Sequence, residues 1–342
     1  MTSVLDAESA SGIPSLAIDP ADTVHRIAAA VRRQVGAELK RRGAVVAMSG
    51  GIDSSVCAGI VVQALGPERV LGLFLPERDS DPLSLSLATR WAEQLGIAHL
   101  TEEITPILEA SACYERRDAA IRRLVPEFGE GWRCKIVLPG SRLDSDRLNV
   151  FQLVVQPPVG PTRTVRLPPE AYRQIVAATN TKQRVRKMLE YYHAERLHYA
   201  VAGTPNRLEY DQGFFVKGGD GLADIKPIAH LYKTQVYQLA EHLGVPSGIT
   251  DRPPTTDTYS LAQDQEEFFF ALPMRTMDVV LHAYNARQSA EHTAKVLHLD
   301  AEQVVRVYRD IERKRSTTSY LHSPPLLVEP VPEIGRPDGA RG

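Results

Sequence analysis

Apolar residues recur along this chain with two different periods, and each change of period marks an element. Val24, Ile27, Val31, Val35 and Leu39 fall three or four apart, the spacing of one helix face, behind Asp19-Pro20, an N-cap followed by proline. Gly43 is expected to end that helix. Residues 44–48 are then an unbroken apolar run, which predicts a buried strand. The pattern continues with a helix over 54–65, a strand over 69–75, a helix over 83–95 and a third strand over 97–104. Strands alternating with helices imply a parallel sheet covered on both faces, a doubly wound α/β fold.

The middle of the chain reads differently. Residues 135–138, 149–156 and 162–167 look like strands, with Pro157-Pro158-Val159-Gly160-Pro161 as a turn. They predict an antiparallel insertion over about 128–167. A long helix is expected over 169–196 and a further parallel strand over 198–202, ending in Gly203-Thr204. The glycine-rich, charged stretch 213–224 reads as a loop, 233–243 as a helix, and 263–315 as a helical C-terminal region. Residues 1–18 are expected to be a flexible tail, 19–322 the folded domain, and 323–342 a proline-rich tail. There is no internal repeat.

Composition narrows the functional classes. The 342 residues are 43% hydrophobic and 24% charged, with a formal net charge of -2. A chain of that balance forms an ordinary globular core, and its lack of basic excess argues against a nucleic-acid partner. No apolar run approaches the ~20 residues of a membrane span, so no membrane partner is expected. The three cysteines, Cys57, Cys113 and Cys134, are odd in number and widely spaced. They fit reduced thiols in a cytoplasmic protein rather than a disulfide framework or a metal site.

The strongest chemical signal is Ser49-Gly50-Gly51-Ile52-Asp53-Ser54, placed between an apolar strand and a helix. Unpaired amides at a helix N-terminus attract phosphate, and glycine lets the backbone approach it closely. Ser49 and Ser54 add hydroxyl donors. Asp53 would be repelled by phosphate unless a cation stood between them, which marks it as a Mg²⁺ ligand. No lysine follows the glycines, so this is not the P-loop pattern. Gly50-Gly51 alone would read as a tight turn; its Ser, Asp and Ser flanks point to a phosphate cradle.

The hexapeptide resembles the signature loop of the N-type ATP pyrophosphatases, which include NAD, GMP and asparagine synthetases. A second segment narrows the resemblance to the NAD synthetase family. Gly203-Thr204-Pro205-Asn206-Arg207-Leu208-Glu209 runs into Gly213-Phe214-Phe215-Val216-Lys217-Gly218-Gly219-Asp220-Gly221-Leu222-Ala223-Asp224, then Leu231-Tyr232-Lys233-Thr234-Gln235-Val236. Pro254-Thr255-Thr256-Asp257 and Arg313-Lys314-Arg315 are similar to downstream motifs of that family.

The resemblance implies a two-step ligase. A carboxylate, that of deamido-NAD, attacks the α-phosphate of ATP and releases pyrophosphate; ammonia then displaces AMP and leaves an amide. Ser49, Gly50, Gly51, Asp53 and Ser54 match the pyrophosphate loop, and Thr204, Lys233 and Thr255 match ATP contacts. Asp53 and Glu209 match magnesium carboxylates, and Asp53 and Lys233 the catalytic pair. Arg184, Lys217, Asp220, Asp224, Arg313 and Lys314 match dinucleotide-binding positions. A homodimer is implied too. The stretch before the loop is too short for an amidohydrolase domain, so free ammonia or a separate ammonia-supplying partner is expected.

Taken one at a time, these residues have plainer readings. Glu209 and Lys233 read equally as surface charges, Arg184 as the polar face of a long helix, Asp220 and Asp224 as turn formers, and Arg313 to Arg315 as a solvated helix end. The insertion, the segment Leu75-Pro76-Glu77-Arg78-Asp79-Ser80-Asp81 and the loosely matching lid Gln263-Asp264-Gln265-Glu266-Glu267 depart from the family pattern. They keep open a relative that amidates a different carboxylate. A non-catalytic ATP-binding regulatory protein and a tRNA-modifying relative would share the same fold. The joint presence of Asp53, Glu209 and Lys233 argues against the first, the near-neutral charge against the second.

Overall fold

The computed structural model describes residues 15–138, 151–253, 259–261 and 272–331. At its centre lie β1 (Ala44–Ala47) and β2 (Val70–Phe74), whose side chains point alternately to opposite faces, as the two-residue period of a strand requires. Ala44, Val46 and Phe74 pack with α1 (Pro20–Arg33), α2 (Ile52–Leu65) and α3 (Pro82–Leu95) on one face. Val45, Leu71 and Leu73 pack on the other face with α4 (Thr105–Ala110), α5 (Cys113–Arg122) and α6 (Pro169–Leu197). Both faces are covered, which is why these strands are apolar throughout.

The sheet is completed by β3 (Ala98–Thr101) and β7 (Ala200–Ala202), all four strands being parallel in the order β3-β2-β1-β7. The chain steps outward from β1 to β3, then crosses beneath through α6 to β7 on the other side of β1. The order therefore reverses between β1 and β7, and a crevice opens there at the strands' carboxyl ends, where doubly wound folds bind ligands. The expected α/β class is the one observed. β3 is shorter than the predicted 97–104 and mostly exposed, because an edge strand pairs on one side only.

A second sheet, β4-β5-β6, is antiparallel and comprises Arg133–Val137, Gln152–Gln156 and Arg163–Arg166. Cys134, Ile136, Leu153 and Val155 face inward onto Ile121 of α5 and Ile175 of α6. The insertion is thus anchored on the helices beneath the main sheet. α4 and α5 have no counterpart in the sequence pattern. The run Tyr114-Glu115-Arg116-Arg117-Asp118 masks helical periodicity, since Arg117 is buried by ion pairing with Asp79 and Asp118 rather than by being apolar.

The C-terminal region holds α10 (Met274–Asn285), α11 (Ala290–Leu297) and α12 (Ala301–His322). α12 thus continues past Arg315, where the helical pattern was expected to stop. Between the sheet and this region lie α7 (Arg207–Gln212), α8 (Lys233–Leu243) and α9 (Ser247–Thr250). Two boundaries move. The first helix passes into a π-turn (Gln34–Glu38) and stops before Lys40, whose φ of 54° is left-handed, rather than reaching Gly43. The expected tail 1–18 is held at its inner end: Leu16 is buried, and Gln238 bonds both the Leu16 carbonyl at 3.1 Å and the Ile18 amide at 3.1 Å.

Candidate active site

The loop after β1 takes the shape its glycines allow. Gly50 has φ +74°, and a Cβ there would lie 2.3 Å from the Ser84 carbonyl oxygen at the start of α3. Only glycine tolerates both. Gly51 is the extended N-cap of α2, so the helix's first amides face the crevice. Ser54 Oγ donates to the Gly51 carbonyl at 3.0 Å and lies 3.2 Å from Ser49 Oγ, and the Gly51 amide reaches Ser49 Oγ at 3.3 Å. These short bonds brace the turn before any ligand arrives, which is the preorganisation an anion cradle needs.

Asp53, in the first turn of α2, forms an ion pair with Lys233, the first residue of α8. Lys233 is 1% exposed. Burial alone would lower its pKa, but Asp53 and Glu209 outweigh burial and hold the ammonium above its ordinary value. Asn206 links the two carboxylates: its side chain donates to Asp53 Oδ1 at 3.2 Å, and its amide donates to Glu209 Oε2 at 3.0 Å. Asn206 is also the N-cap of α7, accepting from the Leu208 and Glu209 amides. One side chain thus starts a helix and sets the charged cluster. Sequence reasoning gives Asn206 no role in the site, although asparagine three residues before glutamate is a capping-box signal.

A cavity of about 710 Å³ opens from this cluster along α6. Ser49, Gly50, Gly51, Asp53, Ser54, Thr204, Glu209, Asp220 and Lys233 line it, so the loop, the expected ATP contacts, both carboxylates and one expected dinucleotide residue come together. On α6 the lining runs through Tyr172, Val176, Thr179, Gln183, Lys187 and Glu190, one helical face. At a rise of 1.5 Å per residue this wall is about 27 Å long, ample for an extended substrate beside ATP.

The other expected substrate contacts lie elsewhere. Arg184 projects from a different side of α6 and donates to the Lys217 carbonyl at 3.3 Å. The Lys217 ammonium caps the end of α12, bonding the Tyr320 and Ser323 carbonyls at 2.6 and 3.1 Å. Asp224 accepts from the Val201 amide at 2.8 Å and the Tyr191 hydroxyl at 3.2 Å, bracing the end of β7. Arg313 and Lys314 both pair with Asp310, at 3.1 and 2.9 Å. None of these five lines the cavity among the described residues. Thr255 and the segment Gln263-Asp264-Gln265-Glu266-Glu267 lie outside the described residues.

Among the charged groups in or behind the wall, Asp220 is expected from the sequence, whereas Lys182, Lys187 and Glu190 are given no role by it. Lys187 and Glu190 form a buried pair at 2.6 Å, and burial pushes the Glu190 carboxyl up against the pull of Lys187. Burial likewise raises Asp220, against the Val216 amide that it accepts at 2.7 Å. Glu77 is held by the fully buried Lys182 at 2.7 Å and by the Tyr114 hydroxyl at 2.6 Å. Lys182 also reaches Asp79 at 2.8 Å. The signal exists in Lys182-Gln183-Arg184-Val185-Arg186-Lys187, but only the packing of α6 decides which of these charges turns inward.

This combination is that of an α/β ATP-using enzyme: a braced glycine turn at the switch point, a buried lysine and two carboxylates at the mouth of a long cavity. The chain belongs to the NAD synthase family, whose model matches residues 23–125 and 158–319. The unmatched stretch 126–157 overlaps most of the antiparallel insertion, whose last strand, β6, lies in the matched part. The chain is 57% identical to an NH(3)-dependent NAD(+) synthetase of Mesorhizobium japonicum, over 91% of this chain and 98% of the relative. It is 54% identical to an NH(3)-dependent NAD(+) synthetase of Rhizobium rhizogenes, over 96% and 99%. Among solved structures, an NH3-dependent NAD synthetase from Campylobacter jejuni matches with TM-score 0.59 at 20% identity, over 91% of this chain and all of that one. An NMN synthetase from Francisella tularensis matches with TM-score 0.61 at 21% identity, over 91% and 99%. At these identities the structural matches show the shared fold.

Proposed function

We infer that this chain is a carbon–nitrogen ligase that adenylates the carboxylate of deamido-NAD and amidates it with ammonia, giving NAD, AMP and pyrophosphate. The carrying observation is the junction of the Ser49–Ser54 cradle with the buried Lys233 at the mouth of a cavity long enough for a second, dinucleotide-sized substrate. The relatives' agreement over nearly the whole chain supports the same reading.

The chemistry follows from placement. The amides of the cradle and the Ser49 and Ser54 hydroxyls hold the β- and γ-phosphates. The acceptor carboxylate, bound along α6, attacks the α-phosphate, so no protein nucleophile is required. Negative charge grows on the departing pyrophosphate. Lys233, preset in a dry site, stabilises that charge more in the transition state than in the ground state. Ammonia then attacks the acyl carbon, and AMP leaves.

Magnesium fits the residues present. Asp53 and Glu209 supply two carboxylates beside the phosphate cradle, and Mg²⁺ characteristically takes one or two protein carboxylates together with substrate phosphate and water. When bound, the ion supplies charge neutralisation to the phosphates. Three buried, unbridged thiols suit a cytoplasmic enzyme, and no helix among the described residues is long and apolar enough to cross a membrane. A homodimer using free ammonia, or ammonia from a separate partner, completes the reading.

A product assay tests it. Purified protein with ATP, Mg²⁺, ammonium and deamido-NAD should yield NAD, AMP and pyrophosphate in equal amounts by mass spectrometry and nucleotide chromatography. ADP with orthophosphate would contradict the mechanism. Acceptor-independent release of AMP and pyrophosphate, without NAD, would contradict the acceptor.

A further inference from the structure

Lys233 must project from the first turn of α8, yet the residue that starts this helix gives its amides no side-chain cap. The N-cap is Tyr232, a residue type without the short acceptor that satisfies the first amides elsewhere. Gln235 turns back to the Tyr232 amide at 3.0 Å, which leaves the Thr234 amide to be met from outside. The acceptor comes from 44 residues further on. Asp278, in α10, accepts from the Thr234 amide at 2.7 Å and from the Thr234 hydroxyl at 2.8 Å through one oxygen, Oδ2. Asp278 is 0% exposed, and Oδ1 takes no hydrogen bond among the described residues.

A carboxylate is a costly way to cap a helix from inside a core, since burial favours its neutral form. Asparagine would fill nearly the same space without the charge. The carboxylate does something that asparagine would not: it places a full negative charge on the amides at the start of α8, fixing that helix against α10. Lys233 is the residue immediately before Thr234. Its ammonium in turn meets Asp53 in the first turn of α2, beside the phosphate cradle. A continuous chain of contacts runs Asp278–Thr234–Lys233–Asp53, from the C-terminal helices to the loop that holds the phosphates.

We propose that Asp278 is a positioning residue for Lys233, fixing the first turn of α8 so that the ammonium meets the transferring phosphates in one geometry. It touches neither substrate nor reacting atom. The proposal deepens the function proposed above and rests on Lys233 acting on those phosphates. It also gives the C-terminal helical region a part in catalysis beyond covering the sheet.

The test is steady-state pyrophosphate release by the full-length protein, with wild type, Lys233→Ala, Asp278→Asn and Thr234→Val side by side, each with a thermal melt. Misplacing a catalytic group by about 1 Å costs on the order of 10²-fold in rate. Asp278→Asn is therefore expected to lose kcat by about 10- to 100-fold, with KM for ATP nearly unchanged and the melting temperature not lowered. Thr234→Val keeps the amide bond and the side-chain volume, and should lose kcat less, in the same direction. A lowered melting temperature with normal kcat in Asp278→Asn would mean a merely structural cap and would overturn the proposal. Should the asparagine variant not fold, wild-type kcat in Thr234→Val would overturn it alone. The control separates the two levels: a slow Lys233→Ala with a normal Asp278→Asn sinks only the positioning role, whereas wild-type kcat in Lys233→Ala sinks the role of Lys233 and this proposal together.

Discussion

At the scale of single residues, the site keeps charges where burial opposes them. Lys233 is held cationic by Asp53 and Glu209 against burial. Asp278 shows the reverse balance: burial raises its carboxyl from 3.8 to about 6, although the Thr234 amide and hydroxyl and then Lys233, through its amide and its charge, pull it down. A carboxyl whose folded pKa is raised stabilises the fold while protonated and loses that contribution as pH rises through the folded value. The window runs from about pH 4 to just above pH 6, and a shift of about two units corresponds to ~3 kcal/mol. The amide of Asp278→Asn cannot titrate. The stability of that variant relative to wild type should therefore climb between about pH 4 and pH 7, read from urea melts at several pH values. A pH-independent difference would show that the carboxyl does not titrate in this window. Retaining a group with this cost agrees with the role proposed for it.

At the scale of elements, the helix N-termini of α2 and α8 converge on the place where charge is handled. Gly50 sets the approach of the first. In Gly50→Ala the residue would sit at φ +74°, and its methyl group would press on the Ser84 carbonyl at 2.3 Å. Left-handed strain costs about 1–3 kcal/mol, and relieving the clash requires the loop or the start of α3 to move. The variant should stay folded with a lowered melting temperature and lose ATP binding by calorimetry. Unchanged ATP affinity would mean the backbone amides do not form the cradle. The cradle is legible in sequence because its determinants are local: an apolar strand, two glycines and a helix, one directly after another. The wall on α6 is not. Its length is readable, but the run from Lys182 to Lys187 is polar except at Val185, so its inward phase comes from packing. Lys182 turns to Glu77 and Asp79, 105 and 103 residues away in sequence. Lys217 is equally opaque, because the carbonyls that occupy its ammonium lie 103 and 106 residues on.

At the scale of the whole molecule, one sheet and two added layers divide the work. The parallel sheet supplies the switch point, α6 extends the cavity from it, and the C-terminal helices brace the start of α8. The antiparallel insertion packs on α5 and α6. Adenylation chemistry thus depends on the shared family fold, and the departures that the sequence shows are concentrated outside the cradle. The central claim is that the acceptor's own carboxylate attacks ATP in this cavity. Deamido-NAD labelled with ¹⁸O in both carboxylate oxygens tests it most directly. With ATP, Mg²⁺ and ammonium, attack on the α-phosphate followed by displacement with ammonia should leave one ¹⁸O in AMP and one in the amide of NAD. AMP without label, while labelled NAD accumulates, would contradict the account.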